Sequence, residues 1–297
     1  MSDPHIVEAV DPEDAFGALS DEMRIDILRA LWDVDDHVLT FSKLREAVGI
    51  RDSGQFNYHL DKLRGRFITK GDDGYRLRLA GIQTIGALLV GAYTMEGSVD
   101  PFQVDAPCPS CGSPMTFRYD DEWVSIDCDE CPFTSDFGVP PGVFEGYTLD
   151  EFPEVAERYG RTLIRQVGNG FCPFCEGRVR PTVEAAHDPD SSSPDVPAHL
   201  ENVPSVAYTC ERCEETLTAD LGFSLLRHPA VVSFYYDHAI DVREASIWRF
   251  GALTNERSRI IDSDPFRATV TYTACDNRLT LTVDEELTVL DLERNGE

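Results

Sequence analysis

Eight of the nine cysteines fall into four C-x-x-C pairs: Cys108/Cys111, Cys128/Cys131, Cys172/Cys175 and Cys210/Cys213. A thiol pair on a tight turn points both sulfurs at one place, and two such turns make a tetrahedral set of four. The first two pairs are separated by 16 residues, inside the spacing usual for zinc sites. The last two are separated by 34. The extra length includes HDPDSSSPDVPAHLENVP (187–204), an acidic Pro/Ser-rich loop whose closure costs little. Each set is therefore expected to hold one Zn²⁺, two per chain. Four thiolates at about 2.3 Å leave no position for water, so the expected role is structural. Such binding supplies on the order of 10 kcal/mol to modules with small cores.

Between the first two pairs, MTFRYD and EWVSIDC read as a hairpin across Asp120-Asp121. A hairpin flanked by two cysteine knuckles, with CPSCG as the first, resembles a zinc ribbon. The second set looks like a repeat of the first. CPSCG parallels CPFCEG, VSIDCDEC parallels VAYTCERC, and TSDFGV (134–139) parallels TADLGF (218–223). A helical segment follows each copy. The first is TLDEFPEVAERYGRTLIRQV, with Thr148 and Glu151 as a capping box and Phe152, Val155, Tyr159 and Leu163 as its stripe. The second is HPAVVSFYYDHAIDV, with Pro229 at its first position.

Other uses of the thiols are weaker fits. Disulfides do not suit a reducing compartment. A thioredoxin-type redox pair needs a strand-to-helix setting rather than a hairpin. An iron–sulfur cluster also takes four thiolates, and metal or redox sensing is an alternative role for the ribbons. Cys275, in a strand pattern, is expected to be a buried core residue. His187, His199, His228 and His238 lack convergent spacing and are not expected to be ligands.

Charge divides the chain. It carries 54 acidic and 26 basic residues, a net of -28. Three of the basic residues are lysines, and the rest are arginines. Such an acidic, lysine-poor composition resembles the adaptation of halophilic proteins, whose self-repulsion is screened by salt. Residues 40–80 run the other way. They hold nine basic groups, including all three lysines, against five acidic ones. A basic face on an acidic chain is an expected phosphate footprint.

The basic stretch also has a readable order of elements. Residues 14–32 show an apolar stripe at helical spacing, with Ser20 as the expected N-cap of a second helix. FSKLREAVGI (41–50) reads as a short helix turning Leu44, Ala47 and Val48 inward and ending at Gly49. RDSGQFNYHLDKLRGR (51–66) places Phe56, Leu60 and Leu63 on one face. The opposite face shows Ser53, Gln55, Asn57, Tyr58 and Lys62, of which Gln and Asn can pair with adenine in the major groove. His59 reads as a buried structural histidine. FITK-GDDG-YRLRL (67–79) reads as a hairpin bearing Lys70, Arg76 and Arg78 outward, where they suit backbone phosphates.

The segment 15–80, through AFGALSDEMRIDILRALW and SGQFNYHLDKL, resembles the archaeal ArsR-like winged helix-turn-helix transcription regulators. The resemblance implies a winged helix whose third helix reads double-stranded DNA. The family's metal sensors do not carry over. FSKLREAVGI has no cysteine, and the helix GIQTIGALLVGAYTM (81–95) has no His or acidic residue. That apolar helix is expected to form a homodimer interface.

The last stretch, 246–297, alternates in SRIIDSD, FRATVTYTAC, RLTLTVD and LTVLDLER. It reads as an antiparallel sheet with a tight turn at Asp276-Asn277 and a core of Trp248, Phe250 and Phe266.

The expected organisation is α+β. A tail (1–13) precedes a winged helix-turn-helix (14–80) and a dimerisation helix with linker (81–100). Two tandem four-cysteine zinc ribbons, each followed by a helix (101–170 and 171–245), lead to the small antiparallel β-sheet (246–297). The expected function is a sequence-specific, homodimeric DNA-binding transcription regulator. A scaffold binding the transcription machinery is the alternative. No catalytic constellation is visible, so no enzyme is expected. The longest apolar run, Ile85 to Tyr93, is too short to span a bilayer. The N-terminus lacks the basic and apolar regions of a signal peptide, which gives a cytoplasmic expectation.

Overall fold

The computed structural model describes residues 11–109, 111–131, 133–185, 203–246 and 257–295. The chain folds as two compact units, Met1–Met95 with Pro140–Gly142, and Glu96–Val139 with Val143–Glu297.

In the first unit, α1 (Pro12–Leu19) leads into α2 (Glu22–Trp32). A short strand β1 (Val38–Leu39) precedes α3 (Phe41–Val48) and α4 (Ser53–Leu63). Strands β2 (Ile68–Lys70) and β3 (Tyr75–Leu77) follow, then α5 (Leu79–Leu89). The helices pack around Ile27, Leu28, Leu31, Leu44, Phe56, Leu60 and Leu63, all essentially excluded from solvent. The hairpin gains a third strand that the sequence did not suggest, because β1 pairs with β3 in a sheet of order β1-β3-β2. Gly74 makes this possible. A Cβ there falls 2.4 Å from the Leu39 carbonyl oxygen.

Helix ends depart from the sequence reading in three places. Ser20 does not cap α2. It sits at the end of α1, where its hydroxyl donates to the Gly17 carbonyl, and Asp21 takes the N-cap position. Ala47 faces solvent while Ile50 is buried in its place. The helix read as 81–95 is α5, which starts two residues earlier and stops at Leu89. Gly91 adopts a left-handed φ of 81°, which ends the helical run. Beyond it, Tyr93 stands 83% exposed.

The second unit starts with a sheet of order β4-β5-β6-β7, comprising β4 (Ser98–Val104), β5 (Met115–Asp120), β6 (Trp123–Cys128) and β7 (Thr134–Gly138). A 3₁₀ turn opened by the Thr148–Glu151 capping box runs into α6 (Phe152–Gly168). Strands β8 (Val179–Ala185), β9 (Pro204–Cys210) and β10 (Thr216–Asp220) make the next sheet, in order β10-β9-β8. Two helices follow, α7 (Leu221–Ser224) and α8 (Pro229–Tyr236), the latter opened by Pro229 as expected.

The last sheet runs β11-β12-β13-β14 through β11 (Ser258–Ser263), β12 (Phe266–Ala274), β13 (Asn277–Val283) and β14 (Val289–Asn295). The boundaries drawn at 170 and 245 fall inside this unit. One core joins its three sheets, with Phe117, Val206 and Tyr272 among its buried members. Phe266 packs against that core, partly buried. Trp248 and Phe250, and most of the 187–204 loop with His187 and His199, lie outside the described residues, as do residues 1–10.

The turn between β12 and β13 is Cys275-Asp276 rather than Asp276-Asn277, because Ala274 pairs with Asn277. Cys275 takes a left-handed φ of 51° at the turn and is exposed, not a core residue.

Candidate metal centres and candidate nucleic-acid interface

The four C-x-x-C pairs converge as two groups of four. Cys108, Cys111, Cys128 and Cys131 place their sulfurs within 4.8 Å of one another, and so do Cys172, Cys175, Cys210 and Cys213. Within the first group Cys108 and Cys131 are 3.7 Å apart and Cys111 and Cys128 3.4 Å. Within the second, Cys172 and Cys213 are 3.7 Å apart and Cys175 and Cys210 3.5 Å. A tetrahedron of sulfurs about 2.3 Å from a central ion has edges of about 3.8 Å, so each group is positioned to hold one metal ion.

The backbone explains why the sulfurs converge. At every knuckle the N–H of the first cysteine donates to the carbonyl five residues on: Cys108 to Ser113, Cys128 to Phe133, Cys172 to Gly177 and Cys210 to Glu215. In three of them the residue four places on returns a bond to the cysteine carbonyl: Gly112, Glu176 and Glu214. These three all adopt a left-handed φ. Amides also point at sulfur. The N–H groups of Glu130, Phe174 and Arg212 lie 3.4 Å from the Sγ of Cys128, Cys172 and Cys210. Such donors stabilise thiolate over thiol.

The repeat is therefore real at the level of the knuckle, but its register differs from the sequence match. The structural counterpart of Gly112 is Glu176, not Gly177. Gly177 has a separate role. A Cβ there meets Cys210 Sγ at 2.8 Å and Cys175 Sγ at 3.1 Å.

Crowding of the thiols splits their acidities. Hydrogen bonds from Ser113 lower Cys111 to about 6, and the backbone N–H groups of Cys213 and Arg212 lower Cys210 to about 6. Burial and the neighbouring sulfurs push Cys131 up to about 12. Cys213 rises to about 12 through burial and its three neighbours, despite the Glu215 N–H. A first thiolate thus opposes the next, and a bound cation relieves that opposition. The donor set fits a thiophilic divalent ion with closed tetrahedral coordination. His228 and His238 are engaged elsewhere. His228 Nδ1 accepts the Ala230 N–H, and His238 bridges the Phe234 carbonyl and Asn277.

In the first unit, Asp52 opens α4. Its carboxylate accepts from the Gln55 and Gly54 N–H groups at 2.9 and 2.7 Å, which holds its pKa below the usual carboxylate range. This N-cap was missed in the sequence, although Asp-Ser-Gly before an amphipathic run signals one. With that start fixed, α4 buries Phe56, His59, Leu60 and Leu63, and leaves Ser53, Gln55, Asn57, Tyr58 and Lys62 exposed. Phe41 packs edge-on to Phe56 at 5.2 Å. His59 is interior, with Nδ1 3.4 Å from the Asp21 carboxylate. Lys62 lies over the Tyr58 ring and Lys70 over Tyr75, at 5.6 and 5.7 Å.

Lys70, Arg76 and Arg78 are exposed as expected, with two refinements. Arg76 is held by Asp73 at 2.7 Å. Arg78 lies past β3, as the N-cap residue of α5. No helix among the described residues is long and apolar enough to cross a membrane.

The molecule thus combines a helical unit presenting a polar helix face with a β-rich unit that carries two four-cysteine groups, each positioned to hold a metal ion. Residues 105–289, which contain both centres, match a family model described as Domain of unknown function (DUF7351), and the chain belongs to that family. Residues 12–88 match a second model, Domain of unknown function (DUF7347). No curated protein and no solved structure matches the chain.

Proposed function

We propose that this chain is a sequence-specific DNA-binding transcription regulator that acts as a homodimer. In this reading the first unit is a winged helix-turn-helix. Helix α4 enters the major groove, and the β2–β3 hairpin is the wing. The observation that carries the reading is the division of α4, with four buried side chains on one face and Ser53, Gln55, Asn57, Tyr58 and Lys62 on the other. That face lies in residues 40–80, which hold nine basic groups against five acidic ones and all three lysines, on a chain of net -28. Gln55 and Asn57 read base edges. Lys70, Arg76 and Arg78 hold phosphates and set the register.

The dimer forms through α5 and the residues after it. Leu79, Leu89, Tyr93 and Met95 are exposed apolar side chains there, which favours burial against a second copy. The two centres hold Zn²⁺ as zinc ribbons and serve the fold of the second unit. The exposed rings of Phe171 and Phe174, beside the second centre, favour a second reading in which that unit binds a protein of the transcription machinery.

The test is selection of duplexes from a random pool by the full chain at high salt. Enrichment of one sequence in two symmetric half-sites supports the proposal, and an unenriched pool refutes it.

A further inference from the structure

The first unit holds a groove of about 860 Å³ that borders the exposed face of α4. Its size falls in the range of small-ligand sites. It lies between α1, the C-terminal half of α4, the 64–66 turn and the start of α5.

Its lining is basic at several independent points. Arg24 is buried, 9% exposed, and its guanidinium is incompletely used. One terminal nitrogen donates to the Gly17 carbonyl at 3.0 Å, the other stands 3.6 Å from Asp21, and Nε has no partner. A buried guanidinium with an unused donor is costly unless something else completes it. Arg64, Arg66 and Arg78 line the same groove.

The start of α5 adds a further contribution. This 11-residue helix opens on Arg78 with no side-chain cap and no acidic residue in its first turn, so the positive end of its dipole is uncompensated. The acids of the groove are partly spent. Asp61 pairs with Arg64 at 3.1 Å, while Glu13 and Asp14 sit in the first turn of α1, where that helix's own dipole favours them.

We propose that this groove is a binding site for a phosphate group, held by Arg24, Arg66, Arg78 and the first turn of α5. The group comes from a small phosphorylated molecule such as a nucleotide, or from the backbone of a bound duplex. Tyr58 and Lys62 of α4 also line the groove, so a small ligand seated there meets the helix assigned to DNA. That consequence, unlike the site itself, rests on the function proposed above.

The experiment is calorimetric titration of the full chain with inorganic phosphate and with AMP at fixed ionic strength. The variants are Arg66→Gln and Arg24→Gln, with Arg24→Lys and circular dichroism to control for folding. The wild type is expected to bind at least one of the two probes, and Arg66→Gln to weaken that binding about tenfold or more. Duplex affinity is measured in parallel, with and without AMP. If the phosphate is a small ligand's, AMP lowers duplex affinity. If it is the backbone's, Arg66→Gln weakens binding to every duplex alike.

Phosphate or AMP binding that Arg66→Gln abolishes, in a chain that binds no duplex, supports the site and sinks the DNA reading. A chain that binds duplex but neither probe, with Arg66→Gln leaving duplex affinity unchanged, overturns the site and leaves the DNA reading standing. Probe binding insensitive to both Arg66→Gln and Arg24→Gln also overturns it.

Discussion

Gly177 lies against Cys210: a Cβ at Gly177 falls 2.8 Å from the Cys210 sulfur, inside any contact that a real methyl group tolerates. The same Cβ also meets Arg212 at 2.8 Å, so the strand turn cannot simply shift away. Gly112 in the other centre has open space around it and a left-handed φ of 79°. Two glycines that look equivalent in sequence therefore act differently. Gly177→Ala is expected to break the second centre, lowering bound metal from two ions per chain to one. Gly112→Ala is expected to keep both ions and to cost about 1 kcal/mol of backbone strain. Metal content by native mass spectrometry separates them. A Gly177→Ala protein that still holds two ions contradicts the packing argument.

Metal removal tests the structural role of the centres. The knuckles contribute turns and sulfurs, but few side chains of their own, to the core of the second unit. Binding energy on the order of 10 kcal/mol per site is comparable to the stability of a whole domain. A strong chelator is expected to abolish the near-ultraviolet dichroism of the buried tyrosines, and added Zn²⁺ to restore it. Cys172→Ser is expected to behave like chelation of one site. An unchanged thermal melt after the metal is stripped contradicts this.

How much of this was legible in the sequence depended on how local each signal was. The cysteine spacing and the buried face of α4 are local patterns, and both appear in the fold. The capping box at Thr148 and Pro229 at the start of α8 are local too. Strand β1 is two residues long and owes its existence to Gly74 on a distant hairpin, so no local pattern announces it. Strand β4 contains Pro101 and a bulge between Val99 and Phe102, which blurs its alternation. The end of α5 and the placement of Cys275 turned on single residues with left-handed backbone, which hydrophobic periodicity does not encode. Nothing local in the sequence marks Arg24 or Asp21, because only the fold brings Asp21 to His59 and Arg24 to the groove.

Asp220 makes stability depend on pH. Its Oδ1 accepts from the Gly222 and Phe223 N–H groups at 2.7 and 3.1 Å, capping α7. Desolvation outweighs those bonds and raises its pKa from 3.8 to about 7. The native state then binds a proton that the unfolded chain has lost. Stability from this group is present below 3.8 and fades as pH rises through about 7. Asp220→Asn keeps the acceptor oxygen and removes the charge. Its melting temperature is expected to exceed that of the wild type at about pH 8 and to match it at about pH 4. Equal melting at both values contradicts the assignment.

The Asp73–Arg76 pair makes a prediction about the hairpin. Arg76 is already engaged at 2.7 Å before any phosphate arrives. Exposed pairs of this kind are worth at most about 1 kcal/mol. Asp73→Ala is expected to free Arg76 and raise affinity for all duplexes on the order of threefold. Arg76→Ala is expected to weaken all sequences alike and to reduce the salt slope by about one. A change confined to one DNA sequence contradicts a backbone role for Arg76.

Whether α4 reads sequence is decided in the cells that make the protein. The measurement is genome-wide crosslinking and sequencing of the tagged chain at native salt, beside a Gln55→Ala/Asn57→Ala form. Sharp peaks sharing a two-fold motif are expected, lost in the double variant while its fold and metal content persist. Broad signal, or peaks indifferent to the two substitutions, contradicts it.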